Sequence, residues 1–295
     1  MALAQTVQSF SGPKAHHPSP NIALGLSEFK RIANIMREDA GIAMSEEKVN
    51  LVHARLQKRL RALSLQSFKK YCLLVESKEG AQERKIMLNA LTTNLTRFYR
   101  EPHHFKHLLE VSLPPLIQAA KDGARVRIWS AGSSTGEEAY SIACIIHSLF
   151  PDVARYNLKI LASDIDSNVI RVGHEGVYSR SSVEKLPAKV RERYFQEVDN
   201  DRNFFQVADC IKSLISFRYL NLNDEKWPMK GKFDIIFCRN TVIYFDEPTQ
   251  ATVWTKFKNK LAPQSYLYIG HSERLSGPDA DAFSKAGNTI YQLKD

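Results

Sequence analysis

Between positions 26 and 91 apolar residues recur at helical spacing. In LSEFKRIANIMREDAG, Phe29, Ile32, Ile35 and Met36 fall on one face, which predicts a helix capped by Ser27 and stopped by Gly41. SEEKVNLVHARLQKRLRAL opens on Ser45 with acids behind it, a second cap, and sets Val49, Val52, Leu56, Leu60 and Leu63 on one face. Its other face carries Arg55, Lys58, Arg59 and Arg61. Two more helical stretches follow, around Ser67–Glu76 and Ala81–Ala90, and no strand signal interrupts them. Residues 26–91 therefore read as a small all-α domain.

After Arg125 the pattern changes. RVRIWSAG is a strand running into a turn, STGEEAYSIACIIHSLF a helix, and LKILASDID a second strand followed by NVIRVGHEGVY. LISFRYLNL, KFDIIFCRN, a helix from about Glu247 to Leu261, and SYLYIGHSE continue the alternation, and DAFSKAGNTIYQL ends the chain as paired strands. Strands alternating with helices predict a doubly wound α/β domain with a mostly parallel sheet over 106–295. Residues 92–105 link the two parts. Residues 1–25 lack periodicity and are rich in Pro, Ser and His, so a disordered arm is expected there, with His16 and His17 solvated rather than metal-bound. No internal repeat is evident.

Composition narrows the setting. The 295 residues are 43% hydrophobic and 25% charged, an ordinary globular balance. No apolar run approaches the ~20 residues that span a bilayer, and no secretory signal pattern opens the chain, so a cytosolic protein without membrane insertion is expected. Four scattered cysteines form neither a disulfide frame nor a zinc site, and no metal is expected. The net charge is +9, and residues 28–100 hold 15 Lys and Arg against 8 Asp and Glu. An acidic partner for the helical domain follows from that skew.

In open α/β sheets, ligands bind beyond the carboxyl ends of the strands. Four polar groups fall at such ends: Ser130–Glu138, Asp164 with Asp166, Asn221–Asn223, and Arg239–Asn240. Asp164 suits the hydroxyls of a ribose, because a carboxylate offers only acceptors to a diol that donates twice. Asp166 reads as the N-cap of SNVIRV. WSAGSSTGEEAYSIA resembles a phosphate loop, yet Glu137 and Glu138 stand where a lysine is needed. Two carboxylates repel a pyrophosphate and attract a cationic nucleoside. S-Adenosylmethionine fits, with a ribose for Asp164, a sulfonium, and an α-ammonium that needs a carboxylate. One of the two glutamates is explained by the positive first turn of its helix, and Glu137 is assigned there. The linker stretch TTNLTRFYREPHHF packs Asn94, Thr96, Arg97 and Arg100 into a short span, as a segment covering a site would. FDIIFCRNTVIYF sets Arg239, Asn240 and Tyr244 just past a buried strand.

Taken in order, TNLTRFYRE, WSAGSSTGEEAYSIA, ASDID, FDIIFCRN-x-x-IYF and GHSE resemble the CheR-type chemoreceptor glutamate methyltransferases, over about residues 26–292. The resemblance implies a methyltransferase-type sheet with a small β insertion, at about 194–217. It implies transfer of a methyl group from S-adenosylmethionine to glutamates on chemoreceptor cytoplasmic helices, leaving S-adenosylhomocysteine. By position, Asn94, Thr96 and Arg100 resemble linker residues of the cofactor pocket, Glu138 the partner of the α-ammonium, and Asp164 the ribose ligand. Asn221, Leu222, Cys238 and Arg239 resemble residues lining the adenosine and methionine portions, Cys238 mainly through its backbone. Arg100 and Tyr244 are expected to orient the substrate carboxylate, and Arg55, Lys58, Arg59 and Arg61 to dock the receptor. A monomer is expected. Some members bind a receptor C-terminal pentapeptide through a glycine-containing loop of the insertion; no glycine lies between Tyr194 and Phe217, so a tether-independent enzyme is expected. A nucleic-acid methyltransferase is the first alternative, but CRNTVIYF replaces the Asn/Asp-Pro-Pro-aromatic motif of the amino-methylating kind. A catalytically silent cofactor-binding scaffold is the second alternative.

Overall fold

The computed structural model describes residues 22–198 and 201–295, so most of the N-terminal arm, with His16 and His17, lies outside the described residues. The stripe of Phe29, Ile32, Ile35 and Met36 builds helix α1 (Leu26–Ala40) and is buried whole; Gly41 ends the helix in the left-handed region at φ 72°. Helices α2 (Val49–Ala62), α3 (Phe68–Glu76) and α4 (Ala81–Leu91) close around the same core, where Val52, Leu56, Tyr71 and Met87 have no solvent exposure. Two cap expectations fail. Ser27 lies inside the first turn of α1, whose N-cap is the extended Gly25. Ser45 opens a 3-10 turn, Glu46–Lys48, ahead of α2, and its side chain makes no cap bond. Ser67 does cap, taking the amide of Lys70 at 3.3 Å.

The basic face of α2 is divided. Arg59 donates to both oxygens of Glu83 at 2.9 and 2.6 Å, and that buried carboxylate also takes the Tyr71 hydroxyl at 3.0 Å. Arg55 Nη1 donates to the carbonyls of Leu91 and Thr92 at 3.0 and 2.7 Å, closing the end of α4. Lys58 and Arg61 point outward. Two of the four expected docking residues are thus committed to internal bonds, because α2 packs its flank against α4.

Helices α5 (Pro102–His107) and α6 (Leu113–Lys121), joined by a π turn, lead into the second domain. Its elements are β1 (Val126–Ala131), α7 (Glu137–Leu149), β2 (Leu158–Asp164), α8 (Ser167–Glu175), β3 (Val177–Ser179), α9 (Arg180–Val183), α10 (Ala188–Tyr194), β4 (Phe195–Val198) and β5 (Asp201–Val207). They continue as α11 (Asp209–Lys212), β6 (Ile215–Tyr219), β7 (Phe233–Cys238), α12 (Glu247–Lys260), β8 (Leu261–Ile269), β9 (Phe283–Gly287) and β10 (Ile290–Leu293). Seven strands form one sheet in the order β6-β2-β1-β7-β8-β10-β9. Pairs from β6 to β8 are parallel and the last two antiparallel, the doubly wound sheet expected. Alternate residues of β1 face opposite cores: Ile128 belongs to the core that holds Ile142 and Ile146 of α7, while Trp129 packs on Phe257 of α12 with ring centroids 5.2 Å apart.

The β insertion is wider than expected. It is a separate antiparallel sheet, β3-β5-β4, that begins at Val177 and ends at Val207; residues 215–217 belong to β6 of the main sheet. The run LISF, expected within the insertion, instead leads into β6 of the main sheet, since short β segments carry no signal of which sheet they join. Residues 199–200, between β4 and β5, lie outside the described residues. Among the described residues, no helix is long and apolar enough to cross a membrane.

The two domains are bonded together. Asn221 Nδ2 donates to the Asp39 carbonyl at 2.6 Å, Asn223 Nδ2 to that of Glu38 at 3.0 Å, and the Ala43 amide to Tyr244 O at 2.8 Å.

Candidate active site

The ends of β1, β2, β6 and β7 lie side by side and open into a cavity. The α1–α2 connection (Ala40, Ile42, Met44, Lys48) and the linker from Thr92 to Arg97, with Arg100, close over it. Nearly every expected site residue borders this cavity: Asn94, Thr96, Arg100, Glu138, Asp164, Asn221, Leu222, Arg239 and Tyr244. Cys238 is the exception. Its side chain is fully buried in the core behind the wall, and burial pushes its thiol well up; the wall itself is made by the next three residues, Arg239, Asn240 and Thr241.

The loop after β1 needs its glycines. Gly132 has φ 75°, and a Cβ there would stand 2.2 Å from Thr241 Oγ1, across the cavity floor. Gly136, at φ 98°, is the N-cap of α7. The first turn of α7 then separates the two glutamates. Glu137 turns into the protein, takes the Thr135 hydroxyl at 2.6 Å, and has its carboxyl raised by burial. Glu138 faces the cavity, accepting from Ser130 Oγ at 2.7 Å and Arg239 Nη1 at 3.1 Å. Burial raises its carboxyl, against the opposing pull of Arg239 and Ser130.

Asp164 ends β2 with one oxygen on the Ser134 amide at 2.8 Å and the other on the Asp166 amide at 3.0 Å. A carboxylate has about four acceptor positions, so it keeps capacity for a ligand. Asp166 is the expected cap, taking the Asn168 amide at 2.8 Å. It has a second role that the sequence did not suggest: it also accepts Asn94 Nδ2 at 2.7 Å, fastening the linker to the end of β2. The Asn94 carbonyl takes Ser134 Oγ at 2.8 Å, a second fastening. Asn221, whose Nδ2 is held by Asp39, presents itself to the cavity with that amide already committed.

Arg239 is the hub of the wall. Besides Glu138 it donates to the Arg100 carbonyl, lies 3.5 Å from Glu101 Oε2, and packs over the Phe105 ring at 5.6 Å. Its neighbour Asn240 is held at φ 56°. Glu273 explains how: its buried carboxylate accepts the amides of Asn240, Thr241 and Val242 at 2.9, 2.8 and 2.8 Å and that of Gly270 at 2.6 Å. Glu273 is the glutamate of GHSE, a motif visible in the sequence without a role; its position just past the buried β8 was the available signal.

Beside this hub, Glu101, His103 and His104 bring one carboxylate and two imidazoles within metal-binding range of one another. Arg239 already supplies positive charge to that carboxylate, and His271 Nδ1 lies 3.0 Å from its other oxygen. Burial and the nearby Arg239 and His103 drop the His104 pKa to about 3, so its ring is neutral.

The cavity fits S-adenosylmethionine on its own features. Ile42, Leu91, Ile165, Leu222 and Phe245 give apolar walls for a purine, and Asp164 and Glu138 are its two carboxylates. Ser133 Oγ and Arg239 Nε, on two of the lining residues, are buried without a hydrogen-bond partner.

Comparison with known proteins agrees with the geometry. Residues 27–92 match the family described as "CheR methyltransferase, all-alpha domain", and residues 94–292 match "CheR methyltransferase, SAM binding domain". The chain is 51% identical over 255 residues to a "Probable chemotaxis protein methyltransferase" of Rhizobium etli, covering 86% of this chain and 95% of that one. It is 37% identical to the "Chemotaxis protein methyltransferase" of Salmonella typhimurium and 36% to that of Escherichia coli, each over 273 residues and 92% of both chains. With S-adenosylmethionine as cofactor and methyl transfer in chemotaxis as activity, the chain belongs to the CheR methyltransferase family.

Proposed function

We propose that the methyl acceptors are glutamate side chains on the cytoplasmic helices of chemoreceptors, and that the product is a glutamyl methyl ester formed in the cytoplasm. The observation that carries this reading is the placement of Arg100 and Tyr244 on one cavity with Glu138 and Asp164. A cation and a phenol there suit an acidic acceptor. Asp164 holds the ribose, Glu138 the α-ammonium, and Asn94, Thr96, Asn221, Leu222 and Arg239 shape the remaining walls.

When bound, the cofactor supplies an electrophilic methyl group on a sulfonium. A glutamate is already an anion near neutral pH, so no general base is required. Transfer would form a bond from one carboxylate oxygen to that methyl as its bond to sulfur breaks, the electron pair staying on sulfur, with Arg100 and Tyr244 holding the acceptor in line. The work of the protein is alignment in a site that excludes water. Arg100 is tied through Nη1 to the Leu95 carbonyl at 3.1 Å, which limits how tightly it grips a substrate carboxylate. That restraint is useful, because a strong ion pair would stabilise the ground state and blunt the nucleophile. Lys58 and Arg61 steer the acidic receptor towards the site, whereas Arg55 and Arg59 shape the helix that presents them.

The test is methylation of chemoreceptor cytoplasmic fragments with labelled cofactor, followed by mapping of alkali-labile esters. Arg100→Ala and Tyr244→Phe should each lower ester formation at least tenfold while the cofactor still binds. Unchanged ester formation removes them from the mechanism, and base-stable label in RNA or DNA overturns the acceptor assignment.

A further inference from the structure

A leucine stands exposed at the mouth of the cavity. Leu95 lines the cavity together with its neighbours Asn94 and Thr96, and is 82% exposed. Its backbone is not loose. The Asn94 carbonyl is held by Ser134, and the Leu95 carbonyl by Arg100. The fold therefore fixes the strap and turns this side chain out. A single exposed leucine is ordinary. This one belongs to a rim that also carries Leu51, 39% exposed, and the half-buried Met44, both from the helical domain. The basic side chains on the lining that reach solvent are Lys48, Arg97 and Arg100, Arg97 being exposed; Arg239 is buried on Glu138 and Glu101, and the lining acids, Glu138 and Asp164, are largely buried.

We infer that Leu95, with Leu51 and Met44, forms an apolar ledge that receives a side chain one helical turn from the glutamate being methylated, on an acidic amphipathic helix. The inference rests on the proposed acceptor and adds what selects among its glutamates. On a helix, residues three and four apart share a face with Cβ atoms about 5–6 Å from each other. A glutamate reaching in beside Thr96 and Arg100 thus sets its neighbour one turn away on the rim. The cations favour an acidic helix in general, but they do not distinguish one glutamate from the next. The ledge does, because an apolar neighbour is buried there and a charged one is desolvated without a partner.

The experiment uses the full chain and a receptor cytoplasmic fragment that the wild-type enzyme has been shown to methylate. Leu95→Asp should raise the KM for the fragment about tenfold or more, Leu95→Met should not, and both should keep cofactor affinity and the thermal midpoint. In the fragment, replacing the apolar residue one turn from a mapped site by Asp should suppress that site alone, and Leu95→Lys should restore it. An unchanged KM in Leu95→Asp overturns the inference, as does an equal effect at every site regardless of its neighbours. A change of oligomeric state in Leu95→Asp, or loss of the effect when residues 1–21 are removed, assigns the ledge to a second copy or to the chain's own arm and also overturns it. If the wild-type enzyme esterifies no receptor fragment, the acceptor assignment itself has failed, a distinguishable result.

Discussion

Arg239 Nη1 meets Glu138 Oε2 at 3.1 Å, and both side chains are almost fully withdrawn from solvent. The pair joins the end of β7 to the first turn of α7 across the cofactor cavity. Breaking one member of a buried pair costs about 3–5 kcal/mol, because the other charge is left uncompensated. Because Glu138 is the carboxylate reserved for the α-ammonium, Glu138→Gln should raise the cofactor Kd about 100-fold, about 2.8 kcal/mol, while Glu137→Gln, which faces inward, should change it less than about threefold. Titration calorimetry on both variants decides between the two glutamates.

Arg59 and Arg61 lie two positions apart on α2 and should behave oppositely. Arg59→Ala strands the buried Glu83 carboxylate and should cost about 1–3 kcal/mol in chemical denaturation. Arg61→Glu and Lys58→Glu should stay within about 0.5 kcal/mol of the parent and instead raise the KM for the receptor fragment. Denaturation and initial rates measured on the same preparations separate folding from docking.

His104 gives the fold an acid limit. Its pKa is about 3 in the native protein against an ordinary 6.5, so between those values the unfolded chain binds the extra proton. Stability is complete above pH 6.5 and falls as pH drops towards 3, by about 1.4 kcal/mol per unit from this one group. His104→Gln should flatten that slope in denaturation curves collected from pH 7 to pH 5. An unchanged slope would exclude His104 as its source.

Glu273 stabilises by saturation, with four backbone amides on one carboxylate. Glu273→Ala leaves those donors buried and unpaired and should cost about 3 kcal/mol or more. Glu273→Gln keeps one acceptor oxygen but turns an NH2 group on the remaining amides, so an intermediate loss is expected. Both variants should weaken the cofactor, because Asn240 would relax from its positive φ and carry Arg239 with it. Denaturation and cofactor titration together check the link.

The parts of this protein legible in its sequence are those governed by local rules. The apolar period of α1, the Gly41 stop, the strand in RVRIWSAG and the cap at Asp166 depend on residues a few positions apart, and each is found as expected. The cavity residues were legible because strand ends in a parallel sheet must converge, so Glu138, Asp164 and Arg239 meet without any contact being known in advance. What escaped was long-range. Nothing near Arg59 in the chain announces Glu83, 24 positions on, and Asp166 gives no sign that Asn94 will reach it. Cys238, expected through its backbone by resemblance, has its side chain in the core, and the cavity wall begins at the next residue, Arg239.

The cavity has one wall from each domain: Ile42 and Met44 come from the helical part, Leu222 and Tyr244 from the sheet. A molecule filling it must touch both, so its binding energy also sets the angle between the domains. For the receptor proposed as substrate, binding across the same two domains would be linked to cofactor binding, and whatever factor the one adds to the other's affinity would be returned in kind. Measured on the two halves separately, neither affinity would be the enzyme's own.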